Sequence, residues 1–255
     1  SDAIVNFKLF RVRVTRQRIA PSQALRRAMV ILWNTLLVVA IIIAAAIIYR
    51  YIFATVSLHE GAHVLYLGLV TAIRVTVVIV ISSLLWVPVG IWVGLHPKAS
   101  RIVQPIAQFF AAFPVNLLFP VAVIVILKYG LNVNVWTSPL MILGTQWYIL
   151  FNVIAGTMAL PKNLHHAIST LNVRGWLWWK RFALPGIFPY YITGAITAAG
   201  GAWNISIIAE AVSWGHTQLH ATGLGAYIAE VSAVGDFPRL ILGITVMSLY
   251  VFTLN

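Results

Sequence analysis

The chain has 255 residues, of which 61% are hydrophobic types and 9% are charged, against about 25% charged in ordinary soluble domains. With a mean hydropathy of +0.92, this composition excludes a typical cytosolic enzyme. The 17 Lys and Arg outnumber five Asp and Glu, but they lie mostly between long apolar runs, which argues against a nucleic-acid binder with its charge spread over a polar face. There is no Cys, so disulfides, thiolate chemistry and Cys-based metal sites are excluded.

The first element is basic. Lys8, Arg11, Arg13, Arg16, Arg18, Arg26 and Arg27 precede the first hydrophobic run, and 1–28 is read as a cytoplasmic N-terminal arm that sets topology and touches anionic membrane lipid. The run from Met29 to Tyr49 exceeds the apolar core of a signal peptide, and Arg50 follows it without a cleavage signature; it reads as a retained membrane helix. The chain begins at Ser1 and stops at Asn255 inside an apolar run, so residues are expected to be missing at both ends.

A helix crossing roughly 30 Å of hydrocarbon needs about 20 residues. Further runs of that order cover 67–95, with Arg74 and Pro88; 102–127, with Pro105, Pro114 and Pro120; 138–160, ending at Pro161; 187–211, rich in small residues; and the chain from Phe237 onward. Six spans follow, and with them an all-α membrane protein: the arm, a first helix and external loop over 29–63, and a core over 64–255. The seven cations of the arm fall on the same side as Lys98, Arg101, Lys162, Arg174, Lys180 and Arg181, opposite Arg50, Lys128 and Arg239. The positive-inside rule then puts both termini and the 161–186 loop in the cytoplasm.

Within that loop, Leu164, Ala167, Ile168 and Leu171 recur at helical spacing and predict a short helix over 162–171. Asn172 and Gly175 predict a turn after it. Trp176, Trp178, Trp179 and Phe182, mixed with Lys180 and Arg181, suit an interfacial segment leading into the fifth span. Two or three turns of helix are marginal alone in water, so the element is expected to pack on a partner. In the fifth span, Gly194, Ala198 and Gly201 allow close packing or leave room for a pathway. Asn204 and Ser206 could hydrogen-bond a small polar solute. Arg74 is costly inside a bundle unless paired; pairing with Glu210 and a place for either along a pathway both remain open.

No GxxxxGK[ST] sequence appears, so no site for ATP phosphates is visible. His59, Glu60 and His63 spell HEGAH, formally the HExxH zinc-protease pattern. The pattern falls in the external loop without a clear third ligand, and HTQLH over 216–220 could in principle add ligands. Solvent-facing or satisfied histidines explain both, and no metal ligand is assigned.

The segment HAISTLNVRGWLWWKRFALP, 166–185, resembles the EAA motif of binding-protein-dependent ABC importer permeases, approximately EAAxxxGxxxxxxFxxxxLP. His166 stands where that family has Glu, Ala167 keeps the small residue and Ile168 replaces the second Ala. Asn172 takes the place of Gly, Trp179 holds an aromatic near the Phe, and Leu184-Pro185 keeps the terminal pair. TAIR at 71–74, WVPVGIWVGLHPKASRIVQPIAQFFAAFPVNLLFPVAVI after it, AWNISIIAEAVSWG at 202–215, GLGAYIAE at 223–230 and GDFPRLILGITVMSLYVF at 235–252 are similar to the nitrate/sulfonate/taurine/bicarbonate branch. The likeness covers about 65–255.

That resemblance implies a six-span ABC importer permease bundle with a cytoplasmic coupling helix. Its expected partners are a second permease domain (identical, homologous or fused), two cytoplasmic ABC ATPase domains that carry ATP and Mg, and an external solute-binding protein. No cofactor is expected on this chain, no nucleic acid is a partner, and the bacterial plasma membrane is the expected location. Leu164, His165, His166, Ala167, Ile168, Leu171, Asn172 and Arg174 are expected to couple to the ATPase. Arg74, Gly194, Ala198, Gly201, Asn204, Ser206 and Glu210 are expected along the path of a small, anionic solute. Competing readings are an ion-gradient-driven secondary transporter, which should show internal symmetry and broken helices, and a membrane zinc protease using HEGAH.

Overall fold

The computed structural model describes residues 23–161, 163–164, 168, 170–214 and 217–255. Most of the arm, and with it the candidates His165, His166 and Ala167 and the loop histidine His216, lie outside these residues. The chain divides into two units, Ser1–Tyr49 and Arg50–Asn255. The described part of the first is most of helix α1 (Gln23–Phe53), exposed from Gln23 to Tyr49; it carries Arg26 and Arg27 near its start and is then apolar around its girth from Leu36 to Ile48. A helix with no polar face offers itself to lipid or to another chain.

In the second unit, α2 (Leu58–Leu95) opens at Ser57, whose hydroxyl accepts the Glu60 N–H at 3.2 Å and caps the helix. It starts nine residues earlier than the hydropathy run suggested, so His59, Glu60 and His63 lie on its first turns and not in a loop. It passes through Pro88 unbroken.

The third expected span is broken. α3 (Pro97–Ala112) and α4 (Phe119–Lys128), joined by a turn of 3₁₀ helix at Val115–Leu118, bend by 74°. Pro114 disfavours the helical conformation in the residue before it, and Phe113 is extended at φ −71°, ψ 125°. Five helices of the described chain are long and apolar enough to cross a membrane, or six with the bent pair as one span.

After α5 (Val133–Trp136) and α6 (Ser138–Met158), the chain reaches the lever segment 161–183. There α7 (Gly175–Trp178) runs through a π-helical turn, Trp179–Ala183, into α8 (Leu184–Ala209). The sequence reading had no counterpart for the next elements. Strands β1 (Ala211–Trp214) and β2 (Thr217–His220) form an antiparallel hairpin with Ala211 opposite His220. Helix α9 (Leu224–Val234) is too short to span, and α10 (Phe237–Leu254) follows it.

The centre of this unit is α2, α6 and α8. Lipid is as apolar as leucine, so close packing and not water exclusion must hold such helices together. A Cβ on Gly90 would sit 2.7 Å from Val153, and one on Gly94 2.6 Å from Thr157, which fixes α2 against α6. Gly156 meets Tyr190 in the same way, at 2.7 Å, between α6 and α8. On the other flank the Tyr250 ring of α10 lies directly over Gly68, and its hydroxyl donates to the Leu65 carbonyl at 3.0 Å. The core has a hairpin-end cluster around Val64, Val78, Met141, Trp203, Val212 and Leu224, and a lever-end cluster around Val87, Ile91, Ile149, Val153, Phe182 and Ile187.

Candidate functional site

The lever segment starts from Pro161, whose carbonyl accepts the Leu164 N–H at 3.0 Å. It ends its helical part at Asn172, the one described non-glycine residue with positive φ, at 50°. The Val173 N–H returns to the Ile168 carbonyl at 3.2 Å, the six-to-one bond of a Schellman motif. Asn172 therefore occupies the left-handed position that closes the helix, where glycine is the usual residue and asparagine the common substitute. This gives a physical meaning to the motif position at which the sequence departs from glycine.

The described apolar residues of this segment differ in burial. Ile168 is half-buried and packs on the lever-end cluster with Leu160, Trp178 and Trp179. Leu164 and Leu171 are 42% and 73% exposed, and Arg174 is exposed in extended backbone. Ile168 thus anchors the segment in the bundle, while Leu164, Leu171 and Arg174 are left open. Behind it Trp178 packs edge-on to Trp179 and against Phe182, with ring centroids 5.4 Å apart in each pair. Phe182 and Ala183 are buried inside the π turn. Movement at the segment would therefore reach α8 through packed aromatic rings.

At the opposite end the structure brings Arg74 and Glu210 together. One Arg74 guanidinium nitrogen bonds the Glu210 carboxylate, and the other donates to the Thr222 carbonyl at 3.1 Å. The Thr71 hydroxyl contacts both Glu210 oxygens at 2.9 and 3.2 Å and accepts the Leu224 N–H at 2.8 Å. Gly225 and Ala226, at the start of α9, donate their backbone N–H groups to Glu210 Oε2 at 2.7 and 3.3 Å. The carboxylate thus sits at the positive end of a helix. Gly225 leaves no room for a side chain between the Ser206 carbonyl and this carboxylate. The node ties α2, the end of α8, the loop after the hairpin and α9 into one block.

The other path candidates separate by face. Gly194 is buried against α6, where a Cβ would lie 2.9 Å from the Tyr148 carbonyl; Ala198 is fully buried, and Gly201 faces Thr145 and Tyr148. Ser206 is buried and donates to the Trp203 carbonyl at 2.7 Å. Asn204 is exposed, and its side chain makes no hydrogen bond within the described residues. Its face of α8 also carries Gly200, which has nothing within 4 Å of a built Cβ, and the exposed Thr197 and Thr193, at spacings that align along one side of a helix.

Glu60 of the HEGAH pattern is engaged. Arg239 holds both its oxygens, at 2.6 and 3.1 Å, and Tyr227 donates to it at 3.2 Å. Arg239 also bonds Asp236, whose other oxygen caps α10. His59 and His63 are exposed, and among the described residues no group of three or more His, Asp or Glu could hold a metal ion. Sequence reasoning missed Thr71, Tyr227 and Gly225. The Gly-Leu-Gly run at 223–225 was their visible trace, since a backbone wrapped around a carboxylate has no space for Cβ atoms.

A multi-span helical bundle with a lever between two spans and a charge-locked opposite end has the architecture of a membrane transport component. The chain belongs to the family of binding-protein-dependent transport system inner membrane components, which matches residues 86–255. It is 26% identical over 165 residues to the bicarbonate transport system permease protein CmpB of Synechocystis sp., covering 64% of this chain and 55% of that protein. It is 24% identical over 183 residues to the nitrate import permease protein NrtB of Leptolyngbya laminosa, covering 71% and 62%. Over 185 residues it is 23% identical to the taurine transport system permease protein TauC of Escherichia coli, again covering 71% and 62%. The chain thus spans between about half and two thirds of the length of these relatives.

Proposed function

We propose that the chain is a translocation subunit of an ATP-driven importer for a small anionic solute. It would work with a second permease domain, two ABC ATPase domains holding ATP and Mg, and an external solute-binding protein. The observation that carries the reading is the divided lever: Ile168 packs into the bundle while Leu164 and Leu171 stay open on an element too short to be stable alone. An ATPase groove over Leu164, Leu171, Asn172 and Arg174 completes it, with His165, His166 and Ala167 between. ATP-driven closure would then move the segment as a body, and its anchor at Ile168 would carry α8 with it. The solutes in the relatives' names support the anionic assignment: bicarbonate and nitrate are anions, and taurine carries an anionic sulfonate beside its ammonium group.

The path is proposed along the exposed face of α8, through Thr193, Thr197, Gly200 and Asn204, facing a second permease domain. Gly194, Ala198 and Gly201 let α8 lie close to α6 behind it, and Arg74, Ser206 and Glu210 fix its outer end. In this reading the lever end is cytoplasmic, following the positive charge, and the membrane is the bacterial plasma membrane with both termini inside.

The test is Leu171→Asp in the complete transporter reconstituted in vesicles. Leu171 is 73% exposed, and a surface change of this kind shifts stability by no more than about 0.5 kcal/mol. ATPase association and solute uptake should both be lost while thermal unfolding of the permease is unchanged. Undiminished uptake with the ATPase still bound would overturn the assignment.

A further inference from the structure

At the lever end, between the second half of α2 and the start of α8, lies a cavity of about 770 Å³. We propose that it binds one anionic phospholipid, with an acyl chain in the cavity and the phosphate at Lys180 and Arg181. The transport reading is not required for this.

The walls are hydrocarbon and aromatic: Val80, Leu84 and Val87 on one side, Phe188 on the other, and Trp176 at the end nearest the lever. The two hydroxyls among the lining side chains, those of Ser83 and Tyr191, are paired. The Ser83 hydroxyl donates to the Ile79 carbonyl at 2.7 Å, so the Tyr191 hydroxyl, 3.1 Å away, donates to Ser83. A cavity whose hydroxyls are already paired asks for an apolar occupant. From Val80 to Pro88 it follows α2 for about 12 Å, which fits a chain lying within one leaflet of the roughly 30 Å hydrocarbon core.

The open end supplies the headgroup chemistry. Tryptophans collect at the membrane–water boundary, and Trp176 is 73% exposed there. Lys180 lies one turn from both Trp176 and Leu184, two residues that line the cavity, and Arg181 follows it; both cations are exposed. Among the described residues neither forms an ion pair. The described carboxylates, Glu60, Glu210, Glu230 and Asp236, all belong to the hairpin end, in the first turn of α2, the end of α8, α9 and the start of α10. A phosphodiester at the mouth supplies the missing negative charge, and a basic site of this kind draws about 1 kcal/mol per cation from an anionic surface.

The experiment is native mass spectrometry of the full-length protein in its purified complex, titrated with palmitoyl-oleoyl phosphatidylglycerol or with phosphatidylcholine of the same chains. The wild type should retain one phosphatidylglycerol per chain in preference to phosphatidylcholine. Lys180→Gln with Arg181→Gln should reduce that preference about five-fold for each cation removed. Leu84→Trp, which narrows the cavity, should weaken retention of both lipids without altering complex assembly. Equal retention of the two lipids by the wild type, or an unchanged preference in the double glutamine variant, overturns the proposal. These 255 residues hold no Cys, so Leu84→Cys introduces the one thiol among them. Its cross-linking to another protein segment in the complex would show a protein occupant and overturn the proposal equally.

Discussion

The two ends of the bundle handle charge in opposite ways. At the hairpin end every described carboxylate but Glu230 is held by an arginine, and Arg74 and Arg239 each serve partners on more than one element. At the lever end Arg174, Lys180 and Arg181 are exposed and form no ion pair among the described residues. The first end is closed upon itself and behaves as one block. The second leaves its charge and its apolar Leu164 and Leu171 exposed. The proposed mechanism, a tilting of rigid pieces, would use both: a block that does not deform and a handle for the ATPase.

The largest effect should come from breaking the closed end. Glu210→Ala leaves Arg74 buried and unpaired, which costs about 3–5 kcal/mol, read as a fall in unfolding temperature or in folded yield. Replacing both partners, Arg74→Met with Glu210→Leu, should recover most of that loss, since a well-packed apolar pair often does as well as a buried ion pair. A double variant as unstable as the two single changes added together would mean that the pair is not a unit.

Next in size is Gly225→Ala, whose methyl group would enter the space of the Glu210 carboxylate and the Ser206 carbonyl; overpacking of this kind costs about 1–3 kcal/mol. An unchanged unfolding temperature would show that α9 can move off the node. At the lever end, Asn172→Ala should cost about 1–2 kcal/mol, because a residue without a short polar side chain is strained in the left-handed region. Asn172→Gly should equal or exceed the wild type. Coupling of ATP hydrolysis to uptake, measured for both variants, then separates the shape of the turn from the chemistry of the side chain.

The smallest expected effect concerns Asp236. Hydrogen bonds from Arg239 hold its carboxyl below the usual carboxylate range. A lowered value in the folded state means that the cap contributes above the ordinary carboxylate pKa, about 3.9, and loses its contribution only as pH falls through the lowered value. Asp236→Asn should flatten this acid limb of the unfolding-temperature profile. A limb of the same steepness in the variant would assign it to other groups.

The long apolar helices were legible because a membrane span writes its length into hydropathy. The turn at Asn172 was legible from residue type, although its role as a left-handed helix stop needed backbone angles. What escaped were features built by distance in sequence. Nothing local marks Thr71 as the bridge to a carboxylate 139 residues away, and the hairpin is two strands of four residues with no apolar run. The break at Pro114 was written as a proline, but two other prolines in the same run do not interrupt a helix: Pro105 lies inside α3, and Pro120 sits in the first turn of α4. Ile168 shares its helical spacing with Leu164 and Leu171 and was expected with them at the ATPase; of the three it is the one that packs on the bundle, because the adjoining aromatic turn supplies a surface that periodicity alone does not reveal.

The contact of Tyr250 with Gly68 works as a keyed joint between the last helix and the second. Since the ring fills the place of the missing side chain, each position dictates the bulk tolerated at the other. In a deep mutational scan of both positions, larger residues at 68 should be tolerated best where residue 250 is smaller, so that the two sites vary together.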